Sequence, residues 1–198
     1  MRNTCLNMVY ELAKQDERIV FIGSDLSPGL LAGMKRDMPS RYFMEGITEQ
    51  NVVGMALAAR IEKRDSRVIV VMGDGEINEG SVWEAAMCAG KHKLANLTAM
   101  VDYNKIQSAG FTRDIQDLEP LLDKWQAFGF AAVEVDGHDV GALRSLLRRL
   151  PVAADRPTAI ICHTVKGKGI GFAENDPNWH HKNKFADGEI EKIYACLN

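Results

Sequence analysis

Short apolar runs alternate along this chain with longer stretches in which apolar residues recur at helical spacing. Cys5, Met8, Val9 and Leu12 stand three and four positions apart, which predicts a helix over residues 3–15. Arg18 to Gly23 is a β-branched run that predicts a buried strand ended by Gly23-Ser24-Asp25. Ser27-Pro28 opens a short helix that closes near Pro39, and Tyr42-Phe43-Met44 is the next strand. A long helix follows, capped by Thr48 and carrying Val52, Val53, Met55, Ala56 and Ala59. Beyond it the alternation is regular. Strands are predicted at 67–72, 97–102, 131–135 and 158–164, and helices at 79–92, 117–128 and 139–149. A last helix near 187–197 gathers Ile190, Ile193, Tyr194 and Leu197 on one side. Residues 166–184, rich in glycine and Asn-Asp-Pro-Asn, predict a long loop. Six strands alternating with helices predict an α/β fold: a doubly wound, mostly parallel six-stranded sheet with helices on both faces.

Composition narrows the classes of partner. A length of 198 residues suits one domain with a sizeable core. The formal net charge is −3 and no long basic run occurs, which argues against nucleic acid. No apolar stretch reaches the length of a membrane span, and the opening residues lack a signal-peptide core, so a cytoplasmic protein is expected. Cys5, Cys88, Cys162 and Cys196 form no CxxC pair and suit reduced thiols rather than a disulfide frame or a zinc site.

The chemistry concentrates where two predicted strands end. The run Val68 to Met72 leads into Gly73-Asp74-Gly75-Glu76, and the run Leu97 to Val101 leads into Asp102-Tyr103-Asn104-Lys105-Ile106. Glycines at 73 and 75 suit a sharp turn approached closely by a ligand. Asp74 offers a carboxylate and Asn104 an amide oxygen from the neighbouring strand end. Such a pair suits Mg²⁺, which takes one or two protein oxygens and completes its shell with water and phosphate. The helix beginning near Glu79 points its positive end toward the same place. Taken alone, the same residues also suit a tight turn and a capping asparagine. Asp25, Glu49, Asp74 and Asn104 all fall on the carboxyl edge of the sheet, where such folds bind ligands.

GDGEINEG together with NLTAMVDYNKIQSAG resembles the thiamine diphosphate and Mg²⁺ motif of the transketolase family, including the spacing from Asp74 to Asn104. VKGKGIGF and NDPNWHHK extend the resemblance through the long loop, although His181 stands where the family usually has glycine. The resemblance implies the thiamine diphosphate-binding fold. It implies that Asp74, Asn104 and the backbone oxygen of Ile106 hold Mg²⁺. Gly73, Gly75, Glu76 and Lys166 would join them around the cofactor, and His180 matches the family's substrate-side histidine. A solvated loop lysine and a packed surface histidine are the plainer alternatives for Lys166 and His180.

RIVFIGSDLS and RYFMEGITEQNVVGMA resemble instead the start of the family's pyrimidine-binding domain. By that resemblance Glu49 hydrogen-bonds the aminopyrimidine ring; the alternative is a first-turn glutamate favoured by its helix. The chain is therefore expected to be one hybrid domain, pyrimidine-domain-like over 1–53 and diphosphate-domain-like over 54–198. The implied function is transfer of a two-carbon ketol unit between sugar phosphates. Because the family's site lies between two domains, a two-fold homodimer is expected, with Glu49 of one chain facing Asp74 of the other. The family's diphosphate-binding histidine, its Gly-rich segment and its pyrimidine-stacking aromatic are missing. That keeps open a domain that binds thiamine diphosphate and Mg²⁺ without turnover.

Overall fold

The structure of the protein is a computed structural model that describes residues 2–23, 29, 31–44, 51–180, 182 and 184–196, with side chains from Leu6 onward. Its strands are β1 (Ile19–Gly23), β2 (Tyr42–Met44), β3 (Arg67–Gly73) and β4 (Leu97–Tyr103), then β5 (Ile106–Gln107), β6 (Gly110–Phe111), β7 (Ala131–Asp136) and β8 (Thr158–His163). Six of them form one parallel sheet in the order β2-β1-β3-β4-β8-β7, while β5 and β6 make a separate antiparallel hairpin. The expected six-stranded sheet is present, and the hairpin is an addition.

Alternation along each strand sorts its side chains between two layers. From β3, Val68, Val70 and Met72 face one layer, and Ile69 and Val71 the other. The first layer is closed by α3 (Asn51–Ile61), α4 (Gly80–Lys91) and α6 (Leu121–Ala127), with Trp125 at its centre. Trp125 is 1% exposed and meets Phe130 edge-on at 4.9 Å and Trp83 at 5.2 Å. The second layer holds α1 (Arg2–Gln15), α2 (Ala32–Asp37) and α7 (Val140–Arg148), which bury Leu6, Val9, Met34, Leu143 and Leu147. All seven residues of β4 are buried, as befits a strand covered on both sides. On the first layer, α4 and α6 approach backbone to backbone: a Cβ on Gly90 would lie 1.8 Å from the carbonyl oxygen of Phe128.

Two expectations need correction. No helix spans 117–128; a single turn, α5 (Thr112–Ile115), is followed by an irregular stretch, and α6 begins only at Leu121. Pro120 is the reason, since a proline bars the residue before it from helical backbone. The helix predicted at 79–92 starts at Gly80, after a 3₁₀ turn over Glu76–Asn78. The last helix, α8 (Glu189–Cys196), buries none of its residues; Ile190 is 49% and Tyr194 65% exposed. Its apolar side has no counterpart among the described residues of this chain. The predicted opening of the short helix near Ser27-Pro28, the Thr48 cap and Leu197 lie outside the described residues, and α2 occupies the later part of that predicted helix.

Candidate active site

The carboxyl ends of β3 and β4 lie side by side because their register pairs Gly73 with Asp102. Asp74 is the next residue along, 1% exposed. One of its oxygens accepts the Gly75 N–H at 2.8 Å and the other accepts the Lys105 N–H. The second bond is possible because Lys105 takes a left-handed backbone with φ of 69°, which turns its amide back toward β3. Asn104, also buried, accepts the Ile106 N–H through Oδ1 at 3.1 Å and donates from Nδ2 to the Asp102 carbonyl at 3.2 Å. Asp74 and the segment 104–106 are thus locked together by backbone amides, and each side-chain oxygen keeps a lone pair.

Glu76 turns back on its own loop, with Oε2 accepting the Gly73 N–H at 2.9 Å. At Gly75 a Cβ would stand 2.6 Å from Cβ of Gln107, so only glycine lets the hairpin close over the turn. Gln107 Nε2 and Asn78 Oδ1 are buried near this turn with no hydrogen-bond partner among the described residues. Orphaned polar atoms of that kind fit a cleft that takes a polar ligand.

The electrostatics point the same way. Burial pushes the Asp74 carboxyl up to about 6, against the pull of the Lys105 and Gly75 amides. The neighbouring Asp102 carboxylate raises it further, and the Lys166 ammonium lowers it. Asp102 is 9% exposed and accepts the Thr164 hydroxyl at 2.5 Å. Two buried carboxylates beside the Lys166 ammonium form an acidic cluster that a cation would relieve. One carboxylate, one amide oxygen and backbone carbonyls are the oxygen donors a hard divalent ion accepts when phosphate completes its shell.

The sequence-derived residues therefore divide. Gly73, Asp74, Gly75, Glu76, Asn104 and Ile106 are gathered by direct hydrogen bonds, and Lys166 lies within electrostatic reach of Asp74. His180 closes the 3₁₀ turn Pro177–Trp179 in the loop beyond Lys166, its N–H donating to the Pro177 carbonyl at 3.0 Å. Glu49, Asp25 and His181 lie outside the described residues. Asp102 and Thr164 escaped the sequence reading. The signal for Asp102 was available: it is a charged residue inside an otherwise apolar run, two positions before Asn104. Among the described residues no helix is long and apolar enough to cross a membrane.

Comparison with known proteins identifies the family to which the chain as a whole is similar. The family model described as "Transketolase, thiamine diphosphate binding domain" matches residues 43–196. The chain is 41% identical over 129 residues to an apulose-4-phosphate transketolase subunit from Phocaeicola vulgatus, covering 65% of this chain and 46% of that one. It is 41% identical over 146 residues to the 6-deoxy-6-sulfo-D-fructose transketolase subunit SqwG of a Clostridium species, covering 71% and 53%. It spans about half the length of such curated relatives. Among solved structures, the transketolase of Campylobacter jejuni matches with a TM-score of 0.62 and 29% identity, over 67% of this chain and 22% of that one. A Pichia stipitis transketolase in complex with sedoheptulose 7-phosphate matches with a TM-score of 0.66 and 28% identity, over 75% and 23%.

Proposed function

This chain belongs to the transketolase family, and from that premise we propose that it binds thiamine diphosphate with Mg²⁺ and takes part in moving a two-carbon ketol unit between sugar phosphates. The observation that carries the proposal is the buried Asp74 carboxylate, tied to the Lys105 amide and crowded by Asp102. Asp74, the Asn104 amide oxygen and the Ile106 carbonyl would hold the ion. Gly73, Gly75, Glu76 and Lys166 would line the diphosphate, with Gly75 keeping the turn open to it. When bound, thiamine diphosphate supplies the nucleophilic carbon and the electron sink for cleaving and forming the carbon–carbon bond.

The chain's own residues supply orientation and proton handling. The Asp74 and Asn104 oxygens fix the ion and so the position of the phosphates. Lys166 brings positive charge to the same anion. Glu49 would share a proton with the aminopyrimidine nitrogen, a role that favours a partly desolvated carboxyl. His180 would exchange protons with substrate hydroxyls.

Single-domain action with residues 1–53 and 54–198 of different ancestry belongs to the same proposal. The pairing of β1 with β3 in one continuous sheet supports the single domain. A two-fold homodimer in which Glu49 of one chain faces Asp74 of its partner belongs to the proposal as well. The relatives named as transketolase subunits and the uncovered apolar side of α8 support assembly. A cytoplasmic setting is supported by the free thiols of Cys88, Cys162 and Cys196.

Calorimetric titration with thiamine diphosphate and Mg²⁺ tests the binding, and absence of Mg²⁺-dependent heat would end the proposal. A coupled assay with a ketose phosphate donor and an aldose acceptor separates turnover from binding alone. Glu49→Gln is expected to abolish that turnover while sparing Mg²⁺-dependent binding. Sedimentation that finds only monomer with cofactor and Mg²⁺ present would remove the dimer.

A further inference from the structure

Beyond His163 the chain leaves the sheet as a strap that carries Lys166 toward Asp74, and the strap is fastened at its first two residues. On the β4 side, the Thr164 N–H donates to the Tyr103 carbonyl at 3.2 Å and its hydroxyl to Asp102 Oδ1 at 2.5 Å. On the β7 side the ladder has run out, because β7 ends at Asp136 and β8 at His163. The Val165 N–H is satisfied there by a side chain, donating to His138 Nε2 at 2.8 Å. With Nε2 accepting, the neutral ring carries its hydrogen on Nδ1.

The ring is itself well placed. The His138 N–H donates to Asp136 Oδ1 at 2.8 Å, and the Gly137 N–H donates to the His163 carbonyl at 2.8 Å. The turn between β7 and α7 is thereby stitched to the end of β8 before the imidazole reaches across. On the far side of Lys166, its carbonyl accepts the Asn175 N–H at 2.9 Å. The adjoining Gly167 has φ of 78°, and a Cβ there would stand 2.4 Å from the Ala173 carbonyl oxygen. Lys166 thus lies between two closures, and the His138 bond on the site side brings in a side chain from outside β4 and β8.

We propose that His138 is a positioning residue: by accepting the Val165 amide it fixes the strap and sets the approach of Lys166 to the anion held beside Asp74. The part of this that concerns anion affinity rests on the thiamine diphosphate-binding function proposed for the cleft. The part that concerns the strap stands on the hydrogen bonds alone.

Two variants separate the role from mere bulk. His138→Phe keeps a ring and removes the acceptor; His138→Gln places a carboxamide oxygen near the Nε2 position. Amide hydrogen exchange at Val165 and Lys166 is read by NMR, and affinity for inorganic pyrophosphate in Mg²⁺ by calorimetry. In H138F, exchange at these two amides is expected to quicken about tenfold while slow amides in β3 and β4 keep their rates. Pyrophosphate affinity is expected to fall roughly tenfold, at the lower end of what loss of an outer hydrogen-bond partner costs a metal site. H138Q is expected to restore both to within a few-fold of the parent protein. Unchanged Val165 exchange in H138F overturns the proposal whatever pyrophosphate does. Faster exchange with unchanged pyrophosphate affinity overturns the role toward the anion. Failure of the parent protein to bind pyrophosphate would sink the proposed function instead, and exchange at Val165 would still decide the strap.

Discussion

Asp74→Asn is expected to change the stability of the metal-free protein by an amount that depends on pH. In the folded chain this carboxyl is raised from 3.8 to about 6, chiefly by burial. A carboxyl raised by folding favours the folded state most below its unfolded value, and that advantage is lost as pH rises through its folded value. At roughly 1.4 kcal/mol per unit, the full penalty above the folded value is about 3 kcal/mol. It is about 1 kcal/mol near pH ~4.5 and about 3 kcal/mol near pH ~7.5. Asparagine has no charge to bury and so escapes this term. It also has one acceptor where the Gly75 and Lys105 amides need two, a pH-independent loss of about 1–3 kcal/mol. The constant loss cancels when the two pH values are compared. Urea unfolding of both proteins in a chelator, followed by tryptophan fluorescence, should show the variant gaining about 2 kcal/mol on the parent between those pH values. A difference that stays flat within about 0.5 kcal/mol would refute the assignment of a strained, buried charge to this position. Saturating thiamine diphosphate and Mg²⁺ at the higher pH should then stabilise the parent by about 3 kcal/mol at a hundredfold excess over Kd, and leave the variant where it was.

Gly75→Ala drives a methyl into Gln107 and should destabilise the protein by about 1–3 kcal/mol in urea unfolding, while weakening pyrophosphate binding. Thr164→Val removes the 2.5 Å bond to Asp102 and leaves that buried carboxylate short of a donor, with an expected loss of roughly 1–3 kcal/mol in the same measurement. Asp139→Ala removes the cap that accepts the Ala142 N–H at 2.9 Å and should cost about 1 kcal/mol without changing pyrophosphate affinity, which calorimetry checks.

The strands were legible because each is a short apolar run; β1, β3, β4 and β8 are buried on both sides, and the edge strands β2 and β7 only in part. The β5–β6 hairpin was not, since two-residue strands carry no periodicity of their own. At 117–128 the apolar spacing was real, but Pro120 governed the backbone and the spacing did not. In α8 the pattern of Ile190 and Tyr194 announces an apolar side without saying what covers it. The site shows the same division. Asp74 and Asn104 each follow an apolar run, so their place at a strand end could be deduced. The Thr164–Asp102 bond depends on register: Asp102 lies opposite Cys162, and Thr164, two residues on, shares its side of the sheet. Register between strands more than fifty residues apart is set by packing, and local sequence holds no trace of it.

The approach of α4 to α6 has an evolutionary corollary. Where Gly90 meets the Phe128 carbonyl there is no space for a single added carbon, so this position tolerates no side chain while both helices keep their places. A saturation library across 80–91 should therefore recover only glycine at 90, yet accept many residues at the outward-facing 84, 87 and 88. Divergent descendants of this domain would keep that point of contact fixed and vary around it, much as a hinge pin outlasts the paint on a door.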